Sequence, residues 1–389
     1  MTAASDLITR DITKQLAGLV SFPTVSAASN LDLVKYVEEQ VAPFGGRVRR
    51  FPNPEGDKAN LLVSIGPEAP GGVVFSGHTD VVPTQGQAWT GDPWMLRAAN
   101  GRLIGRGATD MKGFLACCLA ALPGIAAKSL RKPIHLALSY DEEVGCTGVG
   151  PMAEWIGRSG LKPRLAVIGE ATGMDLIAAH KGGLIGWCRI KGKPGHSSRP
   201  DRYVNAVMAA GDMLAEINRI REDMRNGPGF DGFDPPYSTI QVNLIRGGLH
   251  GNIVSESCEF FWEMRIIPGE SDMAVLEHMK RFAAEQIEPA MKAIDPECGV
   301  FFEVQARIPG LKPNDDPALD RELLALLGRT EPRYVPYGTE AGIFQIAGIP
   351  SVVIGPGDIA DAHQPDESIA VSELEKCVAF LDRLGDTCC

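Results

Sequence analysis

No stretch of this 389-residue chain is dense in lysine or arginine, and its formal net charge is -11. A nucleic-acid partner is excluded on that ground, because neutralising phosphates takes a basic surface. Long apolar runs are lacking too. The longest, residues 114–127, falls short of a bilayer span and is interrupted by Pro123 and Gly124. No opening segment joins a basic flank, an apolar stretch and a small-residue cleavage site. The expectation is a cytoplasmic protein with no membrane partner. Nine cysteines show no disulfide-like framework: two pairs are sequence neighbours (Cys117-Cys118 and Cys388-Cys389), and no Cys-x-x-Cys motif occurs. Buried apolar thiols in a reducing compartment account for them. The chain also lacks a His-Glu-x-x-His helix motif, so any metal site must be assembled from distant segments. The glycine-rich stretch 105–113 lacks the Gly-Lys-Ser/Thr ending of a phosphate-binding loop.

What is present is a chain long enough for two domains. Apolar residues at Leu7, Ile8, Ile12, Leu16, Leu19 and Val20 keep a helical period and predict an amphipathic helix. Short apolar runs at 61–65, 73–75, 134–138, 165–168 and 352–354 read as strands buried on both faces, with a helix over 111–127 between two of them. This is an α/β pattern, with a central mixed sheet flanked by helices. From residue 182 to 308 the order changes to strand (184–190), helix (203–224), strand (239–244), strand (258–266), helix (273–287) and strand (300–306). Such a βαββαβ unit buries one sheet face under two helices and makes a self-contained insert. The expected domains are therefore 1–181 with 309–389, and 182–308.

Four of the apolar runs lead toward acids or histidines, where an α/β sheet delivers side chains to one edge. His78 and Asp80 follow the second run, Glu142 and Glu143 the third, Glu170 the fourth, and His363 lies a loop beyond the last. Imidazoles and carboxylates converging there would hold divalent cations. In Ser76-Gly77-His78-Thr79-Asp80, residues two apart on extended backbone face the same way, so Asp80 can take a hydrogen bond from the ring nitrogen of His78 left free by a metal. A strand-end histidine held by a neighbouring acid is the alternative. Asp110 stands immediately before a helical pattern and could be its N-cap. Three consecutive carboxylates, Asp141 to Glu143, are costly after a buried strand unless cations neutralise them. One glutamate could bind metal while the other serves as general base, or all three could form a solvated acidic turn. His363 sits in a polar loop that would pass for surface in isolation.

Taken together, the motifs GHTDVVP (77–83), GRGATDMKGF (105–114), DEEVG (141–145), GEAT (169–172), HKG (180–182), PGHSSRPD (194–201), GTEA (338–341) and AHQPDE (362–367) resemble the co-catalytic zinc family of aminoacylases, carboxypeptidases and deacylases. The resemblance runs nearly end to end. It implies a zinc-peptidase-like catalytic domain with a ferredoxin-like insert acting as lid and dimerisation domain. It also implies two zinc ions per subunit, replaceable by cobalt or manganese, with Asp110 bridging, His78 and Glu170 on one ion, and Glu143 and His363 on the other. Glu142 would be the general base and Asp80 the partner of His78. His196 would reach a partner subunit's active site in a homodimer. Asn252 and Arg265 would grip the carboxylate of a small N-acyl amino acid, and Thr339 and Glu340 would lie at the cleft. Glu340, an anion near a partly dehydrated ammonium, would favour a cationic side chain. A non-catalytic dimeric binding protein on the same fold is the contrary reading, and it leaves a complete ligand set and Glu142 without a purpose.

Overall fold

The computed structural model describes residues 3–389, with side chains from residue 9 onward. Leu7 and Ile8, counted in the expected first helix, have side chains outside that set. Met1 and Thr2, part of the opening stretch read for a targeting signal, lie outside the described residues. Among the described residues no helix is long and apolar enough to cross a membrane.

The first compact unit runs to Ala179 and resumes over Leu311–Tyr334 and Thr339–Cys389. Its centre is an eight-stranded mixed sheet in the spatial order Arg47–Pro52, Ala59–Ile65, Ile134–Ser139, Val73–His78, Leu165–Ile168, Ser351–Val353, Ile177–His180 and Arg333–Val335. The α/β class expected from the apolar runs is the one found. Strands 73–78, 134–139, 165–168 and 351–353 run parallel to their neighbours in this set. Their side chains are buried throughout, as strands covered on both faces require. Because these four are parallel, their C-terminal ends fall on one edge, and the residues that follow them share it. The edge strand Arg47–Pro52 is largely exposed and shows no apolar run, which is why its sequence carries no strand signal.

Helix Lys112–Ala127 is buried on almost every side and packs against the helices Ala3–Val20 and Val371–Asp386. Its N-cap is Met111, with no side-chain capping bond. The capping alternative for Asp110 is thereby corrected: the carboxylate is turned away from the helix end and is engaged elsewhere.

The second unit comprises His180–Gly310 with Val335–Gly338. Four antiparallel strands lie in the order Thr239–Gly247, Ser257–Ile266, Gly182–Lys191 and Gly299–Ile308. Helices Ala206–Asn226 and Asp272–Phe282 supply the apolar side chains that pack with this sheet. The alternating burial of Ser257–Ile266 is that of a sheet with one covered face. Both helices begin at a side-chain cap: Asn205 accepts from the N–H groups of Val207 and Met208, and Ser271 from that of Ala274. Residues 335–338, placed by sequence in the first domain, belong here, with the Lys181 N–H donating to the Val335 carbonyl at 3.3 Å.

Candidate metal centre

The strand Val73–His78 ends on His78, whose imidazole is fully buried. Its Nδ1 lies 2.9 Å from the backbone carbonyl of Asp80 and 3.6 Å from the Asp80 carboxylate. Asp80 thus orients the ring through its main chain, which corrects the expected side-chain contact. The carboxylate has other partners, accepting the N–H groups of Glu142 and Glu143 at 3.2 and 3.3 Å and the Ser26 hydroxyl at 2.7 Å. One acid therefore fastens the turn that carries both glutamates.

With Nδ1 so occupied, Nε2 of His78 faces inward, 3.0 Å from Asp110 Oδ1 and 3.6 Å from Glu170 Oε1. The other oxygen of Asp110 is 3.1 Å from Nε2 of His363, which in turn lies 3.0 Å from Glu143 Oε2. Two donor groups result, His78–Asp110–Glu170 and Asp110–Glu143–His363, in each of which the ligand atoms lie within 4.8 Å of one another. Asp110 is common to both, one oxygen to each.

The electrostatics describe a centre short of positive charge. Burial, together with the Asp110 charge, pushes Glu170 well above the usual carboxylate range, and burial raises Glu143. Burial also lifts Glu142 to about 8, with Glu143 and Asp110 adding to it. Burial opposes charge on His78, yet its bond to Asp110 and the nearby glutamates hold its pKa well above the ordinary imidazole value. Bonds to Asp110 and Glu143 lift His363 to about 10. Glu143 Oε1 is buried and takes no hydrogen bond. Carboxylates gathered this closely need cations, and a set of one imidazole and two carboxylate ligands per group fits divalent ions bound by nitrogen and oxygen. The residues present thus fit a pair of metal ions.

Glu142 stands outside both groups. Its Oε1 accepts from the Cys146 thiol at 3.3 Å. Asp141, the third acid of the run, has φ +57° and turns its carboxylate away to Lys58 at 2.6 Å. Glu142 and Glu143 lie at the start of a turn closed by the N–H groups of Gly145 and Cys146 on the Glu142 carbonyl, and of the two only Glu143 shares a donor group with Asp110 and His363.

Glu340 is 1% exposed; its Oε2 accepts from Ser139 Oγ at 2.8 Å, and its Oε1 takes no hydrogen bond. Burial raises its pKa to about 7. The adjacent Thr339 is also buried, its Oγ1 accepting from the Ala341 N–H at 3.1 Å. In the second unit, His196 is exposed on a two-residue strand paired with Ile253 and Val254, so that the Ser197 N–H reaches the Asn252 carbonyl at 3.1 Å. Asn252 and His196 are brought together by backbone. Arg265 is separate from them on its strand, with Nε 2.6 Å from Glu263 Oε1.

Several residues of the centre escaped sequence reasoning. Glu367 is buried, accepts the N–H groups of Thr109 and Asp110 at 2.9 and 3.0 Å, and pairs with the buried Arg106 at 2.6 Å. Arg97 and Arg102 hold Asp366 and Asp361 of the same loop. The polar loop that looks like free surface is pinned by three arginines. A signal existed: each of its acids has an arginine counterpart in the segment 97–106.

Residues 74–386 match the model of peptidase family M20/M25/M40. The fold resembles an M20 family metallo-carboxypeptidase of Sulfolobus solfataricus (18% identity, 96% of this chain and 98% of the other, TM-score 0.74). It also resembles human carnosine dipeptidase 1 (19% identity, 98% of each chain, TM-score 0.69). A third similar structure is a dinuclear metal-binding peptidase of the M20 family from Bacillus subtilis (16% identity, 98% of each chain, TM-score 0.65). At these identities the likeness is one of fold.

Proposed function

The chain belongs to peptidase family M20/M25/M40, and from that premise we propose that it hydrolyses N2-acetyl-L-ornithine to L-ornithine and acetate, as the acetylornithine deacetylase of arginine biosynthesis in the cytoplasm. The observation that carries the hydrolytic part is Asp110, whose two oxygens face a histidine each at 3.0 and 3.1 Å. His78, Asp110 and Glu170 would hold one divalent cation, and Asp110, Glu143 and His363 the other. Zinc is the metal proposed, with cobalt or manganese as substitutes. When bound, such a pair of cations acidifies water and polarises a carbonyl oxygen.

The chain's own residues do the rest. Glu142 takes the proton of the attacking water and delivers it to the departing amine. Asp80 keeps Glu142 and Glu143 in place through their N–H groups and fixes the ring of His78. The ornithine part rests on Glu340, a buried carboxylate with an oxygen left for a ligand. An ammonium group of the substrate is a natural occupant. Arg265, exchanging Glu263 for the substrate's carboxylate, and Asn252 would bind the other end. His196 would act in the partner's site of a homodimer formed through residues 182–308.

The test is acetate release from a panel of N-acylated amino acids, with and without a chelator. Acetylornithine should lead, and the chelator should abolish turnover. Equal rates on every substrate would remove ornithine and leave a general aminoacylase; chelator-resistant turnover would remove the metal reading. The panel includes acetylcitrulline and succinyl-diaminopimelate, since the centre itself does not read the side chain. It also includes dipeptides, because human carnosine dipeptidase 1 shares the fold.

A further inference from the structure

We propose that Arg106 is a positioning residue that fastens together the two backbone segments presenting Asp110 and His363. The guanidinium is 1% exposed and forks between two acceptors. Nη1 donates to Glu367 Oε2 at 2.6 Å, and Nη2 donates to Gln87 Oε1. The plane is steadied by Trp89, whose ring centroid lies 5.1 Å away and whose Nε1 donates to the same Gln87 oxygen at 3.0 Å. Each acceptor then holds a ligand-bearing segment by its main chain. Glu367 Oε1 accepts the Asp110 N–H at 3.0 Å, and Gln87 Nε2 donates to the His363 carbonyl at 2.8 Å.

The two halves of the centre need this clamp unequally. His78 ends a buried strand, and Glu170 follows another, so the sheet itself places them. His363 lies in an irregular loop with its side chain 51% exposed and its φ at +61°, a left-handed conformation unfavourable for a side chain with a Cβ. Nothing in a sheet or helix holds it there. Gln87, by gripping its carbonyl, and Glu367, four residues on, supply what the loop lacks. Only a fork-shaped cation can serve both acceptors at once; a lysine ammonium offers no such planar pair of donors. Arg106 and Glu367 also cancel each other's charge, so the clamp adds none to a centre already crowded with acids.

The inference rests on the two-cation reading above, and the experiment separates the two. The full-length protein, Gln87→Ala and Arg106→Lys are stripped of metal and titrated with Co2+, following visible absorption and heat. The unaltered chain should bind two equivalents. Gln87→Ala should keep one at undiminished affinity and bind the other ten- to a hundredfold more weakly, the usual loss when a residue supporting a ligand is removed, whereas Arg106→Lys should weaken both, because it also loosens the segment of Asp110, which the two groups share. Should Arg106→Lys fail to fold, Gln87→Ala decides alone, since Gln87 is only half-buried and touches the His363 arm. Two unchanged equivalents in Gln87→Ala, or equal weakening of both, would overturn the positioning role and leave the metal centre standing. Fewer than two equivalents in the unaltered chain would overturn both.

Discussion

Replacing Glu340 by glutamine removes one negative charge while keeping the shape and an acceptor for Ser139. Its consequence for specificity follows from the geometry: Oε1 is buried and free of hydrogen bonds, so a substrate ammonium meeting it makes a charge-assisted bond in a desolvated place. Such a bond is worth about 1.5–3 kcal/mol, or roughly 10- to 150-fold in kcat/KM. The assay is a cycle of two enzymes and two substrates, acetylornithine and acetylnorvaline, which lacks only the side-chain amine. The ratio of their kcat/KM values should collapse by that factor in Glu340→Gln. The same substitution carries a stability signature. The folded chain binds the Glu340 proton more tightly than the unfolded chain, whose pKa is near 4.5, so stability falls as pH rises from 4.5 to about 7. Above pH 7 the loss reaches about 3 kcal/mol, and glutamine is free of it. Metal-free Glu340→Gln should therefore resist denaturant better than the parent at pH 8 and equally at pH 4. An unchanged substrate ratio would refute the specificity role, and equal stability at pH 8 would refute the burial argument beneath it.

Glu142→Gln should retain its metal by elemental analysis while turnover falls by about 10²- to 10⁴-fold, the usual contribution of a general base; near-parental turnover would clear Glu142 of that role. His135 is buried, with Nδ1 2.8 Å from Ser64 Oγ and Nε2 unpartnered, and burial lowers its pKa from 6.5 to about 4, with Arg47 contributing. The unfolded chain thus takes up a proton that the folded chain refuses, so this residue costs stability as pH falls from 6.5 to 4, by about 3 kcal/mol at the lower end. Denaturation of His135→Gln across that window should show a shallower decline than the parent, and parallel curves would contradict it. A methyl group added at Gly169 would lie 2.0 Å from the Phe114 ring, which is buried against the same strand end. Gly169→Ala is expected to lose about 1–3 kcal/mol of stability and, by displacing Glu170, to weaken metal binding; a Co2+ titration matching that of the parent would show that the strand end absorbs the methyl group.

Much of the fold is legible in residue order because it depends on burial. Runs such as 134–138 and 165–168 are apolar without alternation, which only a strand covered on both faces tolerates, and the observed strands coincide with them. The alternation along 258–266 likewise announces a sheet with one open face. Where side chains are solvated the signal fails, as at Arg47–Pro52, whose pairing with Ala59–Ile65 is a matter of backbone hydrogen bonds that any side chain permits. His78, Glu143 and Glu170 could be named from their positions after apolar runs, and their spatial meeting follows from the parallel strand ends, while Asp110 stands ahead of helix Lys112–Ala127. His363 is another exception, since no strand delivers it.

Residue order by itself thus determined the α/β class, the insert and the set of acids and imidazoles, because each is written in local pattern. Tertiary structure alone decided that Asp80 orients His78 by its carbonyl, and that Arg106 and Glu367, distant in sequence, share one buried bond. Those outcomes turn on distances of a few ångströms between segments up to 261 residues apart. Such distances are set by how the sheet and its loops pack, and no local pattern encodes them.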